Sequence, residues 1–488
     1  MSEKIVYLPA HQLVKLIKSG ELTIPEVVEA FLKQIERYNP QINAIFNMRR
    51  RDDIMKEAEE KSKLRKDAPL GPLHGLPMTV KDNFWVKGLK VSNGHPLYRN
   101  FVANQDALLI QKLKNAGAII IGKTNVPLFS IDWQATNFWN GTTNNPYDLN
   151  RVPGGSSGGA AAAVAAGLSP VELGGDQGGS IRVPAHFCGI CGIRPTENAL
   201  SNRGHIRFPN KPQGQRQVTV AGPLAKNVED LIMMMDVLWN HDTHPLAEVP
   251  PVAFKSTSWN RSSLNIAVSE SMNKVPIDHE YLEIFRGFIS KLAEKEHTIS
   301  KDEPSYDEDK AYHTCGKITG YEFEINMPKL PLASTLMYCF IRGKYKDHAW
   351  AKGIYDGIGI SAREYTKTLD YKDHFANTYH KFLHQYDLWI TPVAAIEAFE
   401  HQKAGKSFTV NKQKVPYTKA IASYNFTSAL SGHPIVVIPI GLKKNGMPVG
   451  VQIHAKKWAD HKLLEIAKHF SQLTDKFTIP ELVTTGSS

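Results

Sequence analysis

Residues 153–196, PGGSSGGAAAAVAAGLSPVELGGDQGGSIRVPAHFCGICGIRPT, constrain the fold of this chain more than any other segment. Two glycine-serine clusters, at 154–159 and 178–180, flank a run of alanine and other small apolar residues. Glycine is used where the backbone takes a positive φ or closely approaches another group. The segment therefore predicts two tight turns, each presenting a serine hydroxyl, joined by a well-packed helix. This arrangement suits nucleophilic catalysis, provided that a base lies within reach.

The remainder of the chain has the pattern of an α/β protein. Helical periodicity occurs at residues 13–17, 25–38, 51–65 and 107–115. Compact apolar runs that predict buried strands occur at residues 78–80, 118–121, 264–268, 388–390 and 435–440. Strands that alternate with helices favour a mixed or largely parallel sheet covered by helices on both faces. We therefore predict one large α/β domain, with a twisted mixed sheet between helical layers.

Composition and charge exclude several classes of protein. Of the 488 residues, 42% are hydrophobic and 22% are charged, as in a globular protein with a sizeable core. The net charge of +10 is spread over interspersed acids and bases, which indicates solvated helix faces rather than a nucleic-acid surface. We find no signal peptide and no stretch with the about 18 apolar residues of a membrane span. Four cysteines are too few for a disulfide framework, and we predict a cytoplasmic location.

Two further motifs favour a structural over a functional interpretation. Residues 117–124, GAIIIGKT, match the phosphate-loop pattern, but the AIII run is typical of a strand rather than of a phosphate-binding loop. Cys188 and Cys191 form a C-x-x-C pair without the second pair that a zinc site needs, so we interpret them as buried small side chains. A redox pair is the alternative interpretation.

Lys81 is the candidate base for the two serine turns. It ends the apolar run at 78–80 and precedes Asp82 and Asn83. From this local pattern alone, a solvent-facing lysine and a catalytic lysine both stay open. Burial lowers the pKa of a lysine from about 10.4, and a buried lysine can then act as a base at neutral pH.

Three blocks of sequence resemble the amidase signature family. They are GLPMTVKDN at 75–83, GGSSGG at 154–159 and DQGGSIR at 176–182, in this order. GICGIRPT at 189–196, YDLWITP at 386–392 and GMPVGVQI at 446–453 are similar to further landmarks of the family. The resemblance runs from the N-terminal helices to near residue 470 and is weakest between 240 and 380. It implies a helical segment at 1–65, the signature core at 66–240, a variable substrate-pocket region at 241–345 and a C-terminal part of the same domain at 346–480.

The resemblance implies a Ser–cis-Ser–Lys triad, and each member matches a position of this chain. Ser180 matches the nucleophile, and Ser156 matches the bridging serine, which follows a cis peptide bond from Gly155. Lys81 matches the base, which acts in its neutral form. Ser157 competes with Ser156 for the bridging role, and we interpret it as a supporting hydroxyl.

The resemblance also implies an oxyanion hole of backbone N–H groups and two supporting side chains. The N–H donors are those of Gln177, Gly178, Gly179 and Ser180. Asp176 and Arg182 are interpreted as supports of this turn rather than as chemical participants. Members of the family commonly carry a small hydroxyl residue where Gly175 stands, and Thr or Ile where Gln177 stands. These departures leave the triad and the backbone donors intact.

The implied activity is that of a serine amidase that hydrolyses the C–N bond of a linear carboxamide, with esters as further substrates. Residues 129–133 and 310–345 are expected to line the acyl pocket, where aromatic side chains would suit a hydrophobic or aryl acyl group. The mechanism requires no metal and no organic cofactor. The expected partner is a small-molecule amide, with no nucleic acid and no integral membrane association, and a homodimer is common among relatives.

Two other functions stay open. One is the glutaminase component of a tRNA-dependent amidotransferase, which resembles this chain in its triad and would require partner subunits. The arginine-centred glutamine-recognition stretch that is usual in that component is not found at 341–370. The other is a non-catalytic binding homologue, against which the intact set of Lys81, Ser156 and Ser180 argues.

Overall fold

The structure is a computed structural model. It describes residues 5–63, 70–211, 213, 215–239, 248–254, 263–271, 275–326, 341, 343, 345, 348–474 and 477–484. Part of the predicted variable region at 241–345 lies outside these residues. None of the helices in this described part of the chain is long and apolar enough to cross a membrane.

Helices and strands alternate through most of the chain, as the sequence pattern predicts. The helices are α1 (Ala10–Ser19), α2 (Ile24–Ile42), α3 (Arg51–Ser62), α4 (Leu108–Asn115), α5 (Gly158–Ala165), α6 (Arg182–Phe187), α7 (Val228–Trp239), α8 (His279–Glu294), α9 (Glu308–Asn326), α10 (Ala349–Gly357), α11 (Ala362–Gln385), α12 (Tyr417–Ser431), α13 (Asp460–Ser471) and α14 (Glu481–Thr484). The strands are β1 (Ile45–Met48), β2 (Pro77–Lys81), β3 (Ile119–Thr124), β4 (Thr136–Asn137), β5 (Gly141–Thr142), β6 (Val171–Asp176), β7 (Cys191–Arg194), β8 (Val220–Ala225), β9 (Asn265–Val268), β10 (Thr298–Lys301), β11 (Leu388–Pro392), β12 (Phe408–Val410), β13 (Gln413–Val415), β14 (Ile435–Leu442) and β15 (Pro448–His454).

Eleven strands form one mixed sheet, in the order β1-β3-β2-β6-β8-β7-β14-β15-β11-β9-β10. β2 runs parallel to β3 and β6 on one side of the sheet, and β9 runs parallel to β10 and β11 on the other. The strands between these groups pair in the antiparallel sense. Several strands are buried along their whole length, which explains their near-continuous apolar sequences. The predicted single α/β domain with a large mixed sheet is confirmed.

The phosphate-loop match at 117–124 lies largely in a strand. All six residues of β3 are buried, and the strand pairs with β1 on one side and β2 on the other. The ammonium of Lys123 donates to the backbone oxygen of Asp82 at 2.7 Å and to that of Phe84. The structural interpretation of this motif is confirmed.

The alanine-rich helix α5 lies deep in the domain, and all eight of its residues are buried. It packs against β2, β3, β6 and β8 and against α6. Only small side chains allow a helix to approach so many neighbours closely. At Gly159, an added Cβ atom would lie 2.4 Å from the backbone nitrogen of Asn125 and 2.8 Å from the carbonyl oxygen of Ala44. The predicted well-packed helix between the two serine turns is therefore confirmed.

We expect the Gly159→Ala variant to lower the free energy of unfolding by about 1–3 kcal/mol, because backbone around the helix must move to admit the methyl group. The matched control is Gly287→Ala in α8, where an added Cβ meets no atom within 4 Å. There, alanine should raise stability by up to about 1 kcal/mol through its higher helix propensity. Urea unfolding followed by circular dichroism measures both changes, and equal effects would contradict this explanation.

Candidate active site

The C-terminal ends of two adjacent parallel strands bring the predicted site residues together. β2 ends at Lys81, and its neighbour β6 ends at Asp176. In open α/β sheets, ligands bind beyond the carboxyl ends of the strands. The turn with Ser180 follows β6, and the turn with Ser156 precedes α5. Lys81, Ser156 and Ser180 all line one cavity at this edge of the sheet.

The side chain of Lys81 is almost completely buried, and its nitrogen contacts two oxygen atoms. Nζ lies 2.9 Å from Oγ of Ser156 and 3.0 Å from the carbonyl oxygen of Gly175. Burial lowers the pKa of Lys81 to about 7, against the opposing influence of Asp176 and Glu172. The lysine therefore loses its proton near neutral pH, which is what a general base at that pH requires.

The two serines of the first turn make different contacts. The peptide bond from Gly155 to Ser156 is cis, and Ser156 is the serine that contacts the lysine. Ser157 donates from Oγ to the carbonyl oxygen of Gly175 at 3.2 Å. Its backbone N–H donates to the carbonyl oxygen of Ser180 at 3.1 Å. Ser157 therefore ties the two serine turns together.

A buried ion pair holds the turn that carries Ser180. Asp176 accepts hydrogen bonds from the backbone N–H groups of Gly179 and Ile181, both at 3.0 Å. The carboxylate also accepts from Nε (3.0 Å) and Nη2 (2.9 Å) of Arg182, and both side chains are fully buried. Burial by itself would raise the pKa of Asp176, but the adjacent guanidinium outweighs it and holds the pKa below its usual range. The carboxylate therefore stays ionised at neutral pH.

Arg182 connects this turn to the C-terminal part of the chain. Nη1 donates to Oγ of Ser428 (2.6 Å) and to Oε1 of Gln452 (2.9 Å), and Nη2 donates to the carbonyl oxygen of Asn425 (3.0 Å). Ser428 and Asn425 lie in α12, and Gln452 lies in β15. Arginine can join several elements because its planar guanidinium carries five N–H donors. No local pattern indicated these contacts, since 243 to 270 residues separate the partners.

One of the four backbone N–H groups predicted to form the oxyanion hole already donates a hydrogen bond to a side chain of the protein. The N–H of Gly179 donates to Oδ1 of Asp176 at 3.0 Å, and the oxyanion hole stays a prediction, with the N–H groups of Gln177, Gly178 and Ser180 as its other candidate donors. Gly179 has a φ of +98°, a conformation that L side chains rarely adopt. At Gly178, an added Cβ atom would lie 2.3 Å from an aromatic ring carbon. Glycine is therefore required at position 179 by the backbone conformation and at position 178 by the close packing of this turn.

The predicted lining segments lie partly at the cavity. All five residues of 129–133 contribute to its wall. From the segment 310–345, part of which lies outside the described residues, Phe323 contributes. Gln177 also lines the cavity, and its Nε2 donates to Oγ1 of Thr319 in α9 at 3.0 Å. This bond anchors the polar side chain that departs from the family pattern.

Two aromatic residues of the cavity wall carried no signal in the sequence. Trp350 and Phe426 stack with ring centroids 4.7 Å apart, and Trp133 packs edge-on against Phe426 at 5.9 Å. Trp350 lies in α10 and Phe426 in α12. Within a helix, such residues look like ordinary core positions, so only their place in the fold distinguishes them.

The C-x-x-C pair is structural. Cys188 and Cys191 are both free and buried, and Sγ of Cys188 lies 3.4 Å from the carbonyl oxygen of Pro153. Burial raises the pKa of both thiols, which keeps them protonated and unreactive. The interpretation of these cysteines as buried small side chains is confirmed.

A family model described as Amidase matches residues 26–464 of this chain. Together with the fold and the site, this match defines an enzyme of the class that hydrolyses carbon–nitrogen bonds. The chain belongs to the amidase family, that is, to the amidase signature enzymes. The resemblance seen in the three sequence blocks is confirmed.

Relatives and solved structures are similar over nearly the whole chain. One relative, a glutamyl-tRNA(Gln) amidotransferase subunit of Sulfurihydrogenibium sp. (strain YO3AOP1), is 31% identical, over 95% of this chain and 96% of that protein. The structure of the corresponding glutamyl-tRNA(Gln) amidotransferase subunit of Thermotoga maritima has a TM-score of 0.76 at 25% identity and covers 98% of each chain. The structure of 6-aminohexanoate cyclic dimer hydrolase with substrate has a TM-score of 0.80 at 25% identity, over 98% of this chain and 99% of that chain.

We expect the Asp176→Asn variant to lower the free energy of unfolding by about 3–5 kcal/mol at neutral pH, because it leaves the buried guanidinium of Arg182 without its carboxylate. The control is Asp370→Asn, an exposed position on α11, which should change stability by less than about 0.5 kcal/mol. Guanidinium chloride unfolding measures both values.

The effect of Asp176→Asn on the free energy of unfolding should depend on pH. The folded state holds the pKa of Asp176 below the value of about 3.9 for an unfolded aspartate, so the ion pair contributes stability above that pH. This contribution is lost as the pH falls further. The stability difference between wild type and Asp176→Asn should therefore be full near neutral pH and shrink below about pH 4. A difference that stays constant into the acid range would contradict the ionic explanation.

Proposed function

We propose that this protein is a serine amidase that hydrolyses the C–N bond of a linear carboxamide, and of some esters, through an acyl-enzyme on Ser180. The observation that carries the proposal is the 2.9 Å contact between Nζ of Lys81 and Oγ of Ser156, inside a cavity that Ser180 also lines. A lysine whose pKa is lowered by burial and whose nitrogen contacts a serine hydroxyl in a cleft is a candidate catalytic group.

The proposed proton path begins at neutral Lys81, which has two N–H donors and one lone pair. One N–H donates to the carbonyl oxygen of Gly175 at 3.0 Å, which leaves the lone pair for the hydroxyl of Ser156. Ser156 gives its proton to the lysine and takes one from Ser180. Oγ of Ser180 then attacks the amide carbonyl carbon, and the carbonyl oxygen becomes a tetrahedral oxyanion.

Backbone donors of the second turn are the proposed stabilisers of this oxyanion. They are the N–H groups of Gln177, Gly178 and Ser180, which belong to the turn that presents the nucleophile. Removal of one such donor costs a factor of about 10²–10³ in kcat in other enzymes. Donors of this kind act only when the turn is rigid, and the hydrogen bonds between Asp176 and Arg182 supply that rigidity.

Collapse of the tetrahedral intermediate expels the amine. Protonated Lys81 returns its proton through Ser156 to the leaving nitrogen, so that a neutral amine departs rather than an amide anion. Water then attacks the acyl-enzyme, and Ser156 and Lys81 take its proton in the same way. The carboxylic acid leaves, and Ser180 regains its hydroxyl proton.

The aromatic side chains of the cavity wall favour a substrate with an apolar acyl group. Trp133, Trp350 and Phe426 form a continuous aromatic wall, with ring centroids 4.7 to 6.5 Å apart. A favourable aromatic contact contributes about 0.5–1.5 kcal/mol beyond the area that it buries. We therefore propose a hydrophobic or aryl acyl group as the preferred one.

A second candidate is the role that the relatives' name states, that of a component of glutamyl-tRNA(Gln) amidotransferase. The 31% identity to such a component over 95% of this chain favours it. In that role the chain would hydrolyse the side-chain amide of glutamine and would require partner subunits. Among the described residues that line the cavity, no arginine is present to pair with the α-carboxylate of glutamine, and the aromatic wall favours an apolar group, so we favour the stand-alone amidase.

We expect a fluorophosphonate probe to label a single residue of the folded protein, Ser180. Labelling should be absent in Ser180→Ala and slower by a factor of about 10²–10⁴ in Lys81→Ala, because the base is lost. Lys112→Ala is the control: this lysine is also buried but lies outside the cavity, and labelling should be unchanged. Intact mass and peptide mapping identify the adduct, and an adduct on a different serine would show that the nucleophile is wrongly assigned.

The labelling rate of the wild type should rise with pH around a midpoint near 7. Burial lowers the pKa of Lys81 to about 7, so its base form is scarce below that pH and predominates above it. The rate should therefore level off above about pH 8. A midpoint of about 10.4, the pKa of a solvated lysine, would contradict the buried base.

We expect benzamide to be hydrolysed with a higher kcat/KM than L-glutamine, as measured by ammonia release. Trp350→Ala should lower kcat/KM for benzamide about ten-fold, since it removes one ring of the aromatic wall. The control is Trp458→Ala, a tryptophan that is 38% exposed and lies away from the cavity. A preference for glutamine, with co-purification of partner subunits, would favour the second candidate instead.

A further inference from the structure

Position 175 has no room for a side chain, because an imidazole occupies the space. A Cβ atom added to Gly175 would lie 2.5 Å from Nε2 and 2.7 Å from Cε1 of His205. Gly175 belongs to β6, and its carbonyl oxygen is the one that Nζ of Lys81 contacts. His205 therefore packs against the peptide that holds the lysine.

His205 is held in this place by the segment that follows Lys81. A β-bridge pairs His205 with Phe84, and their rings stack with centroids 4.3 Å apart and an interplanar angle of 8°. The N–H of Ile206 donates to the carbonyl oxygen of Asn83 at 2.9 Å. His205 is only 1% exposed. The two stacked rings are therefore buried together, with the imidazole beside the Gly175 peptide.

Hydrogen bonds define which nitrogen of His205 carries the proton. The side-chain amide nitrogen of Asn202 donates to the carbonyl oxygen of Thr219 at 2.9 Å, so its Oδ1 faces Nδ1 of His205 at 3.2 Å. Nδ1 is therefore the donor, and Nε2 carries a lone pair. Among the described residues, buried Nε2 has no hydrogen-bond partner. Burial and the nearby Lys81 hold the pKa of His205 far below its usual value, so the ring is neutral.

The neutral state of this ring bears on the pKa of Lys81, because the other groups near the lysine are titratable. They are Asp82, Glu172 and Asp176, together with Lys123 on β3. The three acidic groups favour the charged form of Lys81, whereas desolvation disfavours it and is the larger effect. A side chain that excludes water from Lys81 without adding charge therefore preserves its basic form.

We propose that His205 is a positioning residue for Lys81: it fills the side-chain space of position 175, holds the Gly175 carbonyl oxygen against the lysine and keeps water away from it. This role rests on the proposed function of Lys81 as the base. It involves no proton transfer by the imidazole.

The pH dependence of fluorophosphonate labelling at Ser180 tests this role without knowledge of the natural amide. In His205→Ala, water enters beside Lys81 and the pKa of the lysine rises. We expect the midpoint to move up by about one pH unit and the rate near pH 7 to fall about five-fold, because fewer molecules hold the neutral lysine. His205→Phe keeps a stacked ring in the same space and should retain the wild-type midpoint.

A second comparison tests the steric contact itself. Gly175→Ser places a side chain where the imidazole lies, and it should slow labelling about ten-fold or more by displacing the carbonyl oxygen from Lys81. In Gly175→Ser/His205→Ala the new side chain occupies the vacated space. We expect the double variant to label faster than Gly175→Ser, which is the sign of direct coupling between the two positions.

The matched control is His433→Ala, which removes another buried histidine whose Nε2 lacks a hydrogen-bond partner among the described residues. His433 packs beside Tyr379 and His380 rather than against Gly175, so its loss should lower stability without moving the midpoint. If His205→Ala does not fold, His205→Asn carries the same expectation, since the shorter side chain also admits water.

Two results would overturn the role of His205: a wild-type midpoint in His205→Ala, or a double variant that labels no faster than Gly175→Ser. A wild-type protein that the probe does not label at any pH would instead refute the nucleophile assignment, and with it the base that His205 would position. Failure of the positioning role and failure of the proposed function are therefore distinguishable.

Discussion

The buried ion pair between Asp176 and Arg182 is the interaction on which the rest of the site depends. Neither side chain reaches water, and a buried charge is tolerated only when it is paired and its remaining hydrogen-bonding groups are satisfied. The carboxylate of Asp176 accepts further hydrogen bonds from the backbone of the turn that presents Ser180. The guanidinium of Arg182 donates further hydrogen bonds to α12 and β15. The place of Ser180 at the edge of the sheet follows from these two sets of contacts.

Two lysines buried in this domain differ in the atoms that their nitrogens contact. Burial lowers the pKa of Lys123 to about 8, and its nitrogen donates to the backbone oxygens of Asp82 and Phe84. Burial lowers the pKa of Lys81 to about 7, and its nitrogen contacts the hydroxyl of Ser156 in a cavity. Desolvation alone therefore does not mark a candidate base. The atoms that the nitrogen contacts, and access from a cavity, make the difference.

A structural feature of this protein could be predicted from the sequence when a short run of residues encodes it. The strand predicted at 118–121 corresponds to β3 at Ile119–Thr124, because a β-branched run needs no distant partner to be recognised. The order of the eleven strands was not predictable, since β7 pairs with β14, which is far away in the sequence. The roles assigned to Ser156 and Ser180 came from family resemblance, because a serine between glycines has no unique chemistry by itself.

The α/β class, the two glycine-serine turns and a lysine that could serve as base can each be read from a short run of residues. The contact of Lys81 with Ser156 rather than Ser157, and the hydrogen bond from the N–H of Gly179 to Asp176, depend on how distant segments are brought together. Only the tertiary structure brings His205 into the side-chain space of position 175. These contacts join segments from different strands and loops, and burial, hydrogen bonding and pKa are properties of the assembled surroundings rather than of any one segment.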